Sequence, residues 1–195
     1  MFFDSNSYFI DEKVNFFQFE NTYKIYDGQG EEIGGIFQKL TGWQKFLRLL
    51  VNKANLPFYF EIREKTGAVV ATISRGWTFW LSKTTVANGR GETIAFIYQK
   101  FTFFKPEFHI HNAADQKIAS ISGDWMAWNF EIKDNQEQPV GTIDKKWAGA
   151  MKELFTTADK YNVRINDSYP ESNDKSAILS AAIAIDMILK ESKKN

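Results

Sequence analysis

The side chains best suited to chemistry lie together between positions 41 and 53. Lys45, Arg48 and Lys53 supply positive charge with no acid among them, and Trp43, Phe46, Leu47 and Leu50 recur at helical spacing on one face. Cations on one side of a helix and large apolar groups on the other suit the interface of an anionic membrane. There, ammonium and guanidinium groups meet phosphate while the apolar face enters the headgroup layer. The same pattern also fits a helix that plugs one end of a larger fold, with Thr41 as its N-cap. A second aromatic and basic cluster runs Lys100-Phe101-Thr102-Phe103-Phe104-Lys105, part of which strand alternation must expose.

His109 and His111 share one face of a strand, opposite Phe108 and Ile110. A metal pair would need further ligands and no nearby spacing supplies a third, so a solvated outer face is the better reading. No nucleophile elbow, HExxH helix or paired carboxylates occur. With 2 His and no Cys, little remains for proton transfer or covalent catalysis, and the expectation is a protein that is not an enzyme.

The chain of 195 residues has 44% hydrophobic and 16% aromatic side chains, enough for a substantial core and too much for disorder. No Pro-, Ser- or Gly-rich linker divides it, so a single domain is expected over 1–195. Lys plus Arg total 24 and Asp plus Glu total 24, so no global field draws it to nucleic acid. The absence of cysteine and the start Met1-Phe2-Phe3-Asp4, which does not read as a secretory signal, point to a cytoplasmic setting.

The elements that must carry these groups follow from a repeat. An apolar residue is followed eight positions later by Ile or Val and three positions after that by Ile: Ile25–Ile33–Ile36, Ile62–Val70–Ile73, Val86–Ile94–Ile97, Ile110–Ile118–Ile121 and Ile132–Val140–Ile143. Turn formers such as Asp27-Gly28-Gln29-Gly30 and Asn88-Gly89-Arg90-Gly91 stand between the first two members, so each copy reads as a β-hairpin. The three-residue spacing breaks a period of two and predicts a bulge or bend in every hairpin. Short strands are also expected around 8–10, 14–19 and 161–165, and a short helix within 147–157. The total is about 12 strands, which close most economically into an antiparallel barrel.

A helix is predicted over about 173–191. From Ala177 to Leu189 only Ser180 and Asp186 are polar, and they lie about 120° apart, so no hydrophilic face exists. Such a helix must be surrounded. Its apolar core of about 20 Å is short of a ~30 Å hydrocarbon layer, whereas a barrel of about 12 strands has room for a ~10 Å helix. The helix is therefore expected inside the barrel. Asp186 would then line a polar route, sit near a mouth, or accept hydrogen bonds from strand groups.

A closed barrel around a C-terminal apolar helix resembles the tubby-like fold. The run Gly141-Thr142-Ile143-Asp144-Lys145-Lys146-Trp147-Ala148-Gly149, then Lys152-Glu153-Leu154-Phe155-Thr156-Thr157-Ala158-Asp159-Lys160-Tyr161 and Ala182-Ile183-Ala184-Ile185-Asp186-Met187, resembles the phospholipid scramblase family within the scramblase and LURP-one-related group. The resemblance implies association with phospholipids and, in some members, calcium-dependent movement of lipid between leaflets. The family's calcium segment follows Glu-x-Phe-Thr with alternating acids. Here Thr157 replaces the first acid, Asp159 keeps the second, and Ser168 stands at a later one beside Asp167. One firm carboxylate is a poor cage for an ion that takes six to eight oxygens, so no cofactor is expected and calcium enters only through the resemblance. The Cys-rich and Pro-rich segments of animal members are not found in this chain.

The resulting expectation is a barrel that binds membrane phospholipid peripherally at the inner face. Lys45, Arg48 and Lys53 would engage head groups while Trp43 and Phe46 enter the interface. Transbilayer movement asks more, because it needs a hydrated path through hydrocarbon. The rival expectation is a soluble intracellular interaction module that presents the barrel exterior to a protein partner and moves no lipid.

Overall fold

Repetition of one hairpin builds the ring. The computed structural model describes residues 2–13, 22–39, 56–77, 83–100, 105–124, 126–145, 160–167, 169 and 172–193. After a 3-10 turn at Phe2–Asp4 come β1 (Ser7–Lys13), β2 (Thr22–Tyr26), β3 (Glu32–Gln38), β4 (Phe58–Glu64), β5 (Val69–Arg75) and β6 (Lys83–Asn88). Then follow β7 (Thr93–Lys100), β8 (Glu107–Asn112), β9 (Lys117–Asp124), β10 (Asn129–Asp134), β11 (Pro139–Asp144), β12 (Lys160–Ile165) and the helix α1 (Ser172–Lys193). The strands pair antiparallel in chain order, and β1 pairs with β12 to close the barrel. The expected strand at 14–19 and the expected helices at 41–53 and 147–157 lie outside the described residues.

The bulge predicted in every hairpin is present, and it falls on the middle residue of the repeat. Ile25 faces Gly34 while Tyr26 faces Glu32, so Ile33 is the extra residue. Val70, Ile94, Ile118 and Val140 are skipped in the same way in the other hairpins. A bulge resets the alternation, so two apolar residues three apart can both reach the core: Ile36 is fully buried and Ile33 packs against the core from its edge. The residue after each bulge is small and lies across from a β-branched one: Gly34 from Ile25, Ala71 from Ile62, Ala95 from Val86, Ala119 from Ile110 and Gly141 from Ile132. Each narrow position makes room for the wide one beside it.

The turns are built from side chains that mimic backbone. Asp27 Oδ1 accepts from the N–H groups of Gln29 and Glu31, and Asn88, Asn112 and Asp134 do the same in their own turns. Because the strands run up and down in order, all these turns lie at one mouth of the barrel. The connections that follow β1, β3, β5, β7, β9 and β11 start and end at the opposite mouth. The two are called here the turn mouth and the long-connection mouth.

The helix lies within the barrel, as its all-round apolarity requires. Ala177, Ile178, Leu179, Ala181, Ala182, Ile183, Ala184 and Ile185 are all buried, together with Ser180 and Asp186. Inward rings and branched chains such as Tyr8, Ile25, Phe60, Ile73, Phe108 and Phe130 enclose it. The alanines let strand side chains approach the axis closely, and the strands spare the helix from needing a polar face.

Two tyrosines near the helix start give a pH signature. Burial, then the charges of Asp174 and Asp134, push the Tyr169 phenol up to about 12, and burial, then Asp4, raises that of buried Tyr8 as well. An unfolded phenol ionises near pH 10, so above that pH the unfolded chain sheds protons that the folded chain keeps. Stability is whole below pH 10 and falls as pH rises toward 12. Denaturation midpoints measured between pH 8 and 11.5 should hold level and then drop, and Tyr169→Phe should blunt the drop.

Candidate functional site

The connection that carries Trp43, Lys45, Phe46, Leu47, Arg48, Leu50 and Lys53 leaves β3 after Lys39 and re-enters β4 after Leu56, both at the long-connection mouth. Those seven residues lie outside the described residues, and so do Phe101–Phe104 of the second cluster. Their described flanks define the setting. Lys39 pairs with Glu61, which also accepts from Arg63 at 3.0 and 2.6 Å, and the Arg63 guanidinium lies 5.2 Å over the Phe37 ring. Burial alone would raise the Glu61 carboxyl, but the hydrogen bonds and charges of Lys39 and Arg63 outweigh it and hold the pKa below the usual carboxylate range. A fixed anion midway along β4 thus holds Lys39 of the rim together with Arg63, which belongs to the turn-mouth end of the strand.

Other cations at the same end rest on aromatic faces. Lys83 Nζ is 3.9 Å from the Phe96 centroid and 5.4 Å from Tyr98. Lys145 Nζ is 5.7 Å over Trp128, whose ring stacks on Tyr161 at 5.3 Å. Buried Arg75 lies 4.5 Å over Phe58 and donates 2.9 Å to the Leu56 carbonyl, which pins the end of the 40–55 connection. Lys100 and Lys105 are exposed on either side of positions 101–104. A cation over a ring keeps its charge and part of its hydration, so it can still meet an anion from outside. The described part of this rim can bind anions.

Sequence reasoning missed Lys39, Lys83 and Lys145 as neighbours of the 41–53 cluster. The signal was available: in an up-and-down barrel, strand parity alone assigns every connection to one mouth or the other.

His109 and His111 sit half-buried on the outer face of β8, as expected for a solvated wall. His109 Nε2 is 2.6 Å from Glu107, and His111 Nδ1 is 3.1 Å from the carboxylate of Asp115. The rings lie 6.5 Å apart and each is engaged by its own acid, so they do not converge. Among the described residues no three His, Cys, Asp or Glu side chains are placed to hold a metal ion. Of the pair named through the family calcium segment, Asp159 lies outside the described residues, whereas Asp167 is exposed and accepts from Asn6 at the turn mouth. Asp186 is fully buried.

Comparison with known proteins agrees with this geometry. The chain is 28% identical over 153 residues to human phospholipid scramblase 1, a match spanning 70% of this chain and 47% of that protein. It is 26% identical over 148 residues to human phospholipid scramblase family member 5, across 67% of this chain and 53% of that protein. The chain thus spans about half the length of these curated relatives. It is also 20% identical over 209 positions to the Saccharomyces cerevisiae protein "altered inheritance rate of mitochondria protein 25", covering 87% and 64%. An X-ray structure of an Arabidopsis thaliana protein shares the fold at TM-score 0.53 and 10% identity, covering 95% of this chain and 92% of that one. No helix among the described residues is long and apolar enough to cross a membrane, which leaves strand-borne insertion untouched. With the Scramblase family model matching residues 11–192, nearly the whole barrel and its enclosed helix, this chain belongs to the scramblase family.

Proposed function

We propose that the chain is a cytoplasmic barrel that docks peripherally on the inner, anionic face of a membrane and binds phospholipid there. The observation that carries this reading is the acid-free run of Lys45, Arg48 and Lys53, which springs from the mouth already rimmed by Lys39, Lys83 and Lys145. Trp43 and Phe46 would enter the headgroup boundary, while the cations meet phosphate. Movement of lipid between leaflets would not come from opening the barrel. Freeing α1 would expose its own surface and the lumen together, on the order of tens of kcal/mol at ~25 cal/mol per Å². Any transbilayer contribution therefore works through distortion of the bilayer beneath a docked, closed barrel. Calcium is not required, because Thr157 and Ser168 remove acids from the segment that would hold it.

Vesicle flotation tests this. The wild-type chain should float with phosphatidylserine-rich vesicles equally in calcium and in a chelator, and Lys45→Glu with Arg48→Glu should cut partition at least about tenfold. Binding that ignores the double reversal, or no binding at all, would discard the lipid reading in favour of an interaction module facing a protein partner. Strong stimulation by micromolar calcium would restore the Asp159–Asp167 segment as an ion site.

A further inference from the structure

A net charge of zero conceals a two-ended molecule. Among the described residues the exposed large apolar side chains are Phe37 at 38%, Tyr59 at 37%, Trp77 at 51% and Met126 at 75%. Phe37 is next to last in β3, Tyr59 is second in β4, Trp77 follows β5, and Met126 lies between β9 and β10. All of them sit at the long-connection mouth. Single exposed rings scattered over a surface are ordinary, but confinement of every one to a single rim is not. Exposed Lys39, Lys83, Lys100 and Lys105 interleave with them and outnumber Asp124, the exposed acid of this rim among the described residues.

The turn mouth has the opposite character. Its exposed acids Asp4, Glu31, Glu92, Asp115, Glu137 and Asp167 outnumber its exposed cations Lys65, Arg90 and Arg164, and no exposed large apolar side chain is found among its described residues. The helix follows the same polarity. It starts at the turn mouth, where Lys175 donates to Asn6, and its 22 residues rise about 33 Å, past strands of 5 to 8 residues spanning about 16–26 Å. Its last turns therefore reach the long-connection mouth.

We infer that the barrel docks end-on. The long-connection mouth meets an anionic phospholipid bilayer, the barrel axis stands steeply to the membrane plane, and the acidic turn mouth faces water. This deepens the peripheral-binding reading and rests on it. Trp77, Tyr59, Phe37 and Met126 sit at the level where rings and thioether leave water for the headgroup boundary, and the lysines around them reach phosphate. Charge decides the direction: the other end would carry its carboxylates onto a negative surface.

The chain has no cysteine, so one introduced thiol is a unique label. Met126→Cys at the docking rim and Ala114→Cys at the tip of the β8–β9 turn would each carry an environment-sensitive fluorophore. Both would be read on phosphatidylserine vesicles doped with a nitroxide lipid. The Met126→Cys label should be quenched and blue-shifted, while the Ala114→Cys label keeps its aqueous spectrum. Lys100→Glu should lower vesicle partition roughly tenfold, and Lys65→Glu, in the β4–β5 turn, should leave it unchanged. Equal quenching at both sites, quenching only at position 114, or loss of partition from Lys65→Glu alone would overturn the end-on geometry while flotation kept the lipid reading alive. Absence of flotation by the wild-type chain would remove both.

Discussion

Ile183→Lys in α1 is expected to abolish the cooperative unfolding transition of the protein in detergent-free buffer. Ile183 is fully buried at the middle of the enclosed run, flanked by Ala182 and Ala184, which are equally buried. It lies 11 residues into the helix, roughly 16 Å from the entry at 1.5 Å per residue, so a lysine stem cannot carry its ammonium to water. Taking that ammonium out of water costs several kcal/mol even where it meets Asp186 three residues on, and the lost isoleucine burial adds about 1.5–3 kcal/mol. The sum rivals the 5–15 kcal/mol that typically holds a domain together. Ile183→Ala is the graded companion: at about 2–5 kcal/mol it should lower the urea midpoint without changing the slope. A fully cooperative Ile183→Lys protein of wild-type midpoint would mean that the helix does not live inside the strands.

That enclosure could be read from sequence because two requirements meet in it. The run Ala177–Leu189 has no polar face, and a ring of about 12 strands has more lumen than its own side chains fill. The bulges were legible too, since a three-residue spacing such as Ile33–Ile36 cannot keep both side chains on one face of a regular strand. What escaped was register. Nothing in the local pattern says that Gly34 will lie across from Ile25 and Ala119 across from Ile110, because small and large residues become partners only once pairing is set. Of the candidate site, the 41–53 run lies outside the described residues, and only its setting is seen. Lys45 and Arg48 stand out because they are close in sequence. Lys39, Lys83 and Lys145 lie far apart in the chain, and only barrel closure gathers them at one rim. The second histidine of the β8 pair teaches the converse: adjacency on a strand gave His109 and His111 a shared wall, yet each turned to a separate acid.

Gly34→Ala, a single methyl group, should cost on the order of 3 kcal/mol or more, because a closed ring offers it no space. A Cβ built on Gly34 would stand 2.1 Å from the Arg63 carbonyl oxygen and 2.8 Å from Cε2 of Phe2. The ring of Phe2 could swing aside; the carbonyl belongs to β4 and could not. In an open sheet an edge strand would slide outward, but β3 is paired with β2 on one side and β4 on the other, so relief at one seam strains the next. Gly141 repeats the situation with the Arg164 carbonyl at 2.3 Å, and Gly141→Ala should cost a similar amount. Gly76 is the internal control, since nothing lies within 4 Å of its added Cβ and its φ is not in the left-handed region; Gly76→Ala should stay within about 0.5 kcal/mol of wild type or gain slightly. Chemical denaturation of the three variants would separate them cleanly. A Gly34→Ala protein as stable as Gly76→Ala would show that β3 and β4 are free to part, and a barrel that can part there would no longer forbid the release of its helix.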